Sequence, residues 1–68
     1  MAKGTVKWFN KAKGYGFLTD PDVSTDVFVH FSAIQSDGFR MLDEGEQVEY
    51  ELFHDDKGAK ARTVTRLQ

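Results

Sequence analysis

The sequence predicts an all-β protein, a five-stranded antiparallel barrel that is closed or nearly closed. Five short segments rich in β-branched and aromatic residues alternate with turn-forming stretches. No window shows the sustained period of an amphipathic helix. Five short strands in under 70 residues, with no cysteine to form a disulfide, fit a small barrel that removes its own edges. A chain of 68 residues has room for one domain, so residues 1–68 are predicted to be a single domain of modest stability.

The predicted strands fall into a group of three and a group of two along the chain. They are residues 5–10, 15–20, 26–31, 47–53 and 59–66. The turn-forming stretch 20–25 separates the second strand from the third, and 55–58 (DDKG) reads as a hairpin turn between the last two. Residues 32–34 are predicted to start one helical turn capped by Ser32, and 35–46 to be a polar connection.

Alternation assigns the faces of these strands. In the fourth strand, Val48, Tyr50 and Leu52 share one face, which is the period of a half-buried strand. In the second and third strands, valine and leucine are the natural core residues, and this assignment turns the aromatic residues outward. The inward set is then Leu18, Val27 and Val29, and the outward set is Tyr15, Phe17, Phe28 and His30.

Two alternatives bear on this assignment. Tyr15 and Phe17 could form the core face, with Gly16 present to let the strand bend. The third strand argues against this, because it would then bury an imidazole and expose two valines. Parity places Trp8 with the core residue Val6 unless a β-bulge re-aims it, so pattern alone leaves Trp8 open.

The charges are unevenly distributed. The net charge of −2 argues against a nucleic-acid binder, but residues 1–18 and 57–68 each hold four basic groups and no acid. If the two ends fold side by side, one flank becomes positive and attracts phosphates. The alternative is that these charges only keep strand edges soluble. An outward aromatic patch beside lysines favours stacking of nucleobases.

Other functional classes lack support in the sequence. Without cysteine, and with two histidines, a metal site is not expected. The carboxylates have no paired or apolar setting, so we expect neither an enzyme nor a cofactor. No apolar run approaches the ~20 residues of a membrane span, and the N-terminus lacks the apolar stretch of a signal peptide. The sequence therefore predicts a soluble intracellular protein.

The motifs GTVKWFN, KGYGF and VFVHF, in this order and spacing, resemble the cold-shock domain over about residues 3–65. The resemblance implies an OB-type barrel that binds single-stranded RNA and DNA with low sequence specificity and a pyrimidine preference, and that acts as a cytoplasmic RNA chaperone. The family's ligand-contacting residues fall on Lys7, Trp8, Lys13, Tyr15, Phe17, Asp26, Phe28, His30, Phe31, Phe39 and Lys57. We expect a monomer with no membrane or small-molecule partner and a possible role in regulating transcription or translation.

The chain departs from the family pattern at several positions. Tyr15 stands where phenylalanine is usual, and Lys60 lies in a stretch where a proline commonly follows the turn glycine. The roles of Phe53 and His54 stay open. Asp26 could accept a hydrogen bond from a base amine or hold the neighbouring loop.

Three other hypotheses are a recognition motif of the RNA-binding type, a peptide-binding barrel and a purely structural domain. The order of the motifs and the chain length exclude the first. Titration with an oligothymidine separates the other two from single-strand binding.

Overall fold

Each segment with strand-like composition forms a strand in the computed structural model, which describes residues 1–35 and 41–67. The strands are β1 (Ala2–Asn10), β2 (Tyr15–Thr19), β3 (Val27–His30), β4 (Gln47–Asp55) and β5 (Gly58–Arg66). β1 begins three residues earlier than predicted, because residues 2–5 pair with β4. The predicted helical turn is a 3-10 helix, Phe31–Ala33, and its N-cap is His30 rather than Ser32.

The strands close into a barrel in the order β1-β2-β3-β5-β4. Four of the neighbouring pairs are antiparallel, and the fifth, β3 with β5, is parallel. An odd number of strands cannot alternate in direction all the way around a closed barrel, so at least one pair must be parallel. The predicted five-stranded barrel is confirmed, and this one pairing differs from the antiparallel arrangement expected of it.

The interior of the barrel is lined by aliphatic side chains and one tyrosine. Leu18, Val27 and Val29 have no exposed surface, as alternation predicted, and Val48 and Tyr50 are equally buried. The opposite assignment, with the aromatic residues of β2 and β3 inward, is therefore wrong. Burying side chains of this size removes them from water at a gain of about 1.5–3 kcal/mol each, which is the main stabilising contribution to the fold.

A buried hydrogen bond links Tyr50 to Asp20. The phenol donates to Asp20 Oδ2 at 2.6 Å, and the carboxylate is only 6% exposed. Asp20 Oδ1 also accepts from the backbone N–H of Asp22 at 2.8 Å. Burial, and then the hydrogen bond to Asp20, raise the pKa of Tyr50 well above its ordinary value. The sequence indicated Asp20 only as part of a turn, and its role as a buried acceptor was missed.

Two irregularities bend the barrel. β1 and β2 shift register between Val6 and Trp8, and β4 and β5 shift between Glu49 and Glu51. Opposite the second shift, Thr63 adopts a positive φ of 53°. Such bulges increase local twist and turn the following side chain to another face.

The β4–β5 hairpin forms at the predicted turn. Asp55 pairs with Gly58, and its carboxylate accepts from the backbone N–H of Lys57 at 2.8 Å. The same carboxylate lies 2.7 Å from Lys60 Nζ. The hydrogen bond from Lys60, followed by that from the Lys57 backbone, lowers the pKa of Asp55.

Candidate nucleic-acid interface

Four aromatic rings on β1, β2 and β3 form a contiguous cluster on the outside of the barrel, here called the aromatic platform. Its members are Trp8, Tyr15, Phe17 and Phe28, and neighbouring ring centroids are 5.4–6.0 Å apart. Trp8 is 37% exposed and the other three are half-buried against one another. Two of these ring contacts are T-shaped, with interplanar angles of 67° and 72°, and two are tilted, at 54° and 30°. An outward cluster of aromatic rings is a surface on which planar bases can stack.

The β-bulge in β1 places Trp8 on this platform. Val6 pairs with Leu18 and Trp8 pairs with Phe17, so Lys7 is the extra residue between them. The bulge reverses the parity of the strand, and Trp8 points outward although Val6 points into the core. The orientation of Trp8, which pattern left open, is therefore outward.

The two glycines of KGYGF allow close approaches that a side chain would block. A Cβ on Gly16 would lie 2.7 Å from the Cα of Phe9, and one on Gly14 would lie 2.7 Å from the Phe31 ring. Gly14 also has a positive φ of 77° and accepts a hydrogen bond from the Phe31 backbone N–H. Gly16 thus lets β2 pack against the bulge, and Gly14 seats Phe31 beside the platform.

His30 and Phe31 extend the exposed aromatic surface at the end of β3. Their ring centroids are 4.6 Å apart, and Phe31 is 42% exposed. His30 Nδ1 accepts a hydrogen bond from the Ser32 backbone N–H at 3.2 Å. The same nitrogen lies 2.9 Å from the Ser32 hydroxyl oxygen, so Ser32 holds Nδ1 and Nε2 is left to hydrogen-bond a ligand.

The predicted cationic residues differ in their surroundings. Lys7 Nζ lies 2.9 Å from Asp26 Oδ2, so its charge is already partnered. Lys13 makes no ion pair with any other residue of 1–35 and 41–67. Lys57 is exposed at the hairpin turn and lines a groove of about 500 Å³ with Phe17 and Phe28. Phe39, the remaining predicted contact residue, lies outside the described residues.

Strand register shows that the exposed row does not stop at β3. Phe17 pairs with Phe28, Phe28 with Lys60, and Lys60 with Phe53. Lys60 Nζ lies 5.6 Å from the Phe28 ring centroid, and the Arg62 guanidinium lies 4.3 Å from that of Phe53. Lys60, Phe53 and Arg62 could not be placed at this surface from the sequence, because their proximity to Phe28 depends on the parallel β3–β5 pairing.

Comparison with known proteins identifies the family. Residues 2–67 match the sequence profile of the 'Cold-shock' DNA-binding domain. The chain belongs to the cold-shock domain family. It is 58% identical over 67 residues to the major cold shock protein of Micrococcus luteus, covering 98% of this chain and all of that protein. It is 57% identical over 65 residues to the cold shock-like protein CspE of Escherichia coli K12, covering 96% of this chain and 94% of that one.

A solved structure supports the OB-type fold of this cold-shock domain. Drosophila Unr CSD456 superimposes with a TM-score of 0.81 at 22% sequence identity. The alignment covers 98% of this chain and 26% of that chain, which is much longer. At this identity the likeness concerns the fold alone.

Membership in the family also settles the broad class of activity. Cold-shock proteins are nucleic-acid-binding proteins and not enzymes. Across residues 1–35 and 41–67, no three or more His, Cys, Asp or Glu side chains are grouped to hold a metal ion. The same residues include no helix of the length and hydrophobicity that crossing a bilayer requires.

Proposed function

We propose that this cold-shock domain binds single-stranded RNA and DNA by stacking successive bases on the aromatic platform and its extension at His30 and Phe31. The observation that carries this proposal is the set of rings on the outside of the barrel, with centroid spacings of 4.6–6.0 Å. Every base has a π-face, and stacking on an aromatic side chain is worth about 1–3 kcal/mol per base. Several such contacts bind a strand tightly without reading its sequence.

The remaining predicted residues have supporting roles in this proposal. Lys7, Lys13 and Lys57 meet phosphates at the border of the platform. His30 Nε2 and the Tyr15 hydroxyl are hydrogen-bonding groups, and each can contact a base edge. Phe39 is proposed as a further stacking residue on the resemblance alone. With so few polar groups among the rings, we infer low sequence specificity, with a pyrimidine preference that comes from stacking and backbone flexibility.

Binding of this kind makes the protein an RNA chaperone. A base stacked on Phe17 or Phe28 cannot at the same time stack within a duplex, so the protein binds the open strand and not the paired one. Preferential binding to the open state shifts the folding equilibrium of RNA towards it by mass action. We propose that the protein acts in this way in the cytoplasm, as a monomer, and so influences transcription or translation.

The proposal is tested by titrating the protein with an oligothymidine while following the fluorescence of Trp8, its single tryptophan. We expect saturable quenching by the single strand and little change with a duplex of the same length. An RNA hairpin carrying a fluorophore and a quencher should open at a lower temperature when the protein is added. Equal affinity for single strand and duplex, or no change in Trp8 emission, would reject base stacking as the binding mode.

A further inference from the structure

A second groove borders the platform at Phe28 and lies between β3 and the β4–β5 hairpin. It has a volume of about 470 Å³ and is lined by Phe28, His30, Phe53, Lys60 and Arg62, among others. Phe28 and Lys60 also line the groove that contains Phe17 and Lys57. The two grooves are therefore adjacent, and Phe28 and Lys60 form the boundary that they share.

The side chains of this groove point outward because of the strand alternation. On β5, Ala59 and Ala61 are buried, so Lys60 and Arg62 lie on the outer face. On β4, Leu52 packs against the core, and the neighbouring Phe53 projects to the other side. Phe53 is thus a half-buried ring that adds nothing to the core cluster and covers the outside of the hairpin.

Arg62 is positioned by its neighbours. Its guanidinium carbon lies 4.3 Å from the centroid of the Phe53 ring, and its side chain is 56% exposed. A planar guanidinium held over an aromatic ring on one side can stack with a nucleobase on the other. Lys60, 5.6 Å from the Phe28 ring, supplies a second positive charge at the entrance.

Both cations have carboxylate neighbours. Arg62 Nε lies 3.4 Å from Glu51 Oε1, and Lys60 Nζ lies 2.7 Å from Asp55 Oδ2. Glu51 and Arg62 are each more than half exposed, and an ion pair in such a position is weak and easily exchanged for a phosphate. The Lys60 side chain is only 26% exposed, so its ion pair with Asp55 is exchanged less easily, and a phosphate at Lys60 must compete with that carboxylate.

We propose that this groove binds an additional nucleotide of the same single strand, beyond those on the aromatic platform. The base stacks on the Arg62 guanidinium, which the Phe53 ring supports from below, and the phosphate meets Lys60. The assignment rests on the proposed function, since it extends the strand that the platform holds. Arg62 is the binding residue and Phe53 positions it.

The test is a length series of oligothymidines, increased one nucleotide at a time from about four to about ten. For the unmodified protein, we expect the affinity to rise about tenfold further when the strand becomes long enough to place a nucleotide in the second groove. Arg62→Ala and Phe53→Val should lose this last increase and keep the affinity for shorter strands within about twofold. Arg62→Lys keeps the positive charge but not the planar guanidinium, so this variant should show only part of the last increase in affinity.

Two controls separate stacking from general charge effects. Lys3→Ala removes the same charge as Arg62→Ala but lies in a separate groove with Gly4 and Pro21, and it should keep the last increase. Glu51→Gln removes the partner of Arg62 and should strengthen binding of the longer strands alone. Thermal melts of each variant show whether the fold is retained. A direct reading comes from the Arg62 Nε–H resonance, which should shift with the longer strands and not with the shorter ones.

The outcomes distinguish this inference from the function on which it rests. If the unmodified protein binds no oligothymidine of any length, single-strand binding itself fails. If it binds but shows no late increase, or if Arg62→Ala keeps that increase, the groove is not a nucleotide site. A polyglutamate peptide that shifts the Arg62 resonance where the long oligothymidine does not would assign the groove to an acidic peptide and overturn the proposal.

Discussion

The Nζ of Lys7 lies 2.9 Å from Oδ2 of Asp26, across the gap between the β1 bulge and the start of β3. The bulge thus has two effects, since it turns Trp8 onto the platform and sends the preceding lysine towards a carboxylate. Both side chains of the pair are about half exposed, at 51% and 41%. A phosphate that approaches Lys7 must therefore compete with Asp26.

Asp26→Asn should strengthen binding of single strands at low salt by a few fold. The substitution frees the Lys7 ammonium and removes a negative charge that repels phosphates. Because the pair is solvent-exposed, the unfolding free energy should change by less than about 1 kcal/mol. Oligothymidine titrations and thermal melts on the same samples measure both effects. Weaker binding by Asp26→Asn would instead show that this carboxylate accepts a hydrogen bond from a base.

Lys13→Gln should reduce the salt dependence of binding more than Lys7→Gln does. Each phosphate contact contributes about −0.7 to the slope of log affinity against log salt for single strands. Lys13 has no ion-pair partner in the described part of the chain, so its full charge is available to a phosphate. Titrations over a range of salt concentrations give the slopes. Lys3→Gln, away from the platform, is the control, and an equal change of slope in that variant would contradict the assignment.

Phe28→Ala and Tyr50→Ala should separate binding from folding. Phe28 lies on the outer surface, so its loss should cost about 1–3 kcal/mol of single-strand affinity while the fold is retained. Tyr50 is fully buried, and its loss leaves a cavity and removes the hydrogen-bond donor to Asp20 Oδ2, at a cost on the order of 3–5 kcal/mol of stability. Thermal melts and titrations are made on both variants. A Phe28→Ala protein that is unfolded, or that binds with undiminished affinity, would refute the role of the platform.

Gly16→Ala should disturb the site through the backbone. The added methyl group would lie 2.7 Å from the Cα of Phe9, and the backbone of β1 cannot yield without weakening its pairing with β2. We expect a lower melting temperature, a changed Trp8 emission spectrum and weaker binding. The control is Gly45→Asn, since no atom lies within 4 Å of its added Cβ; the positive φ of 87° strains a side chain there and lowers the melting temperature, but the Trp8 emission spectrum should not change. An unchanged Trp8 spectrum in Gly16→Ala would show that the bulge does not depend on this contact.

Tyr50 should make stability decrease at alkaline pH. In the unfolded chain its phenol loses a proton near pH 10, whereas in the folded protein burial and the hydrogen bond to Asp20 hold its pKa well above that value. The folded state then binds more protons, so this contribution is complete below pH ~10 and declines as the pH rises further. Urea unfolding of the native protein and Tyr50→Phe should show a stability difference that shrinks above pH ~10. A difference that stays constant to pH ~11 would contradict this linkage.

Alternation within single strands was enough to predict the core and most of the platform. In β2 and β3, the valine and leucine positions are fully buried, and Phe17 and Phe28 face outward as their parity requires. These assignments depend on a period of two residues, which local sequence carries without reference to the rest of the chain. The hairpin at Asp55 to Gly58 was also predictable from local sequence, because its turn residues are contiguous.

Register and closure decided what local sequence could not. Pattern left the face of Trp8 open, and only the Val6–Leu18 and Trp8–Phe17 pairs show the bulge that turns it outward. Tyr50 and Asp20 are 30 residues apart, and they meet only inside the closed barrel. Lys60 reaches Phe28 through the parallel pairing that an odd number of strands imposes. Residue types and their period determine which face a side chain prefers, whereas the neighbours on that face are determined by how the strands align when the barrel closes.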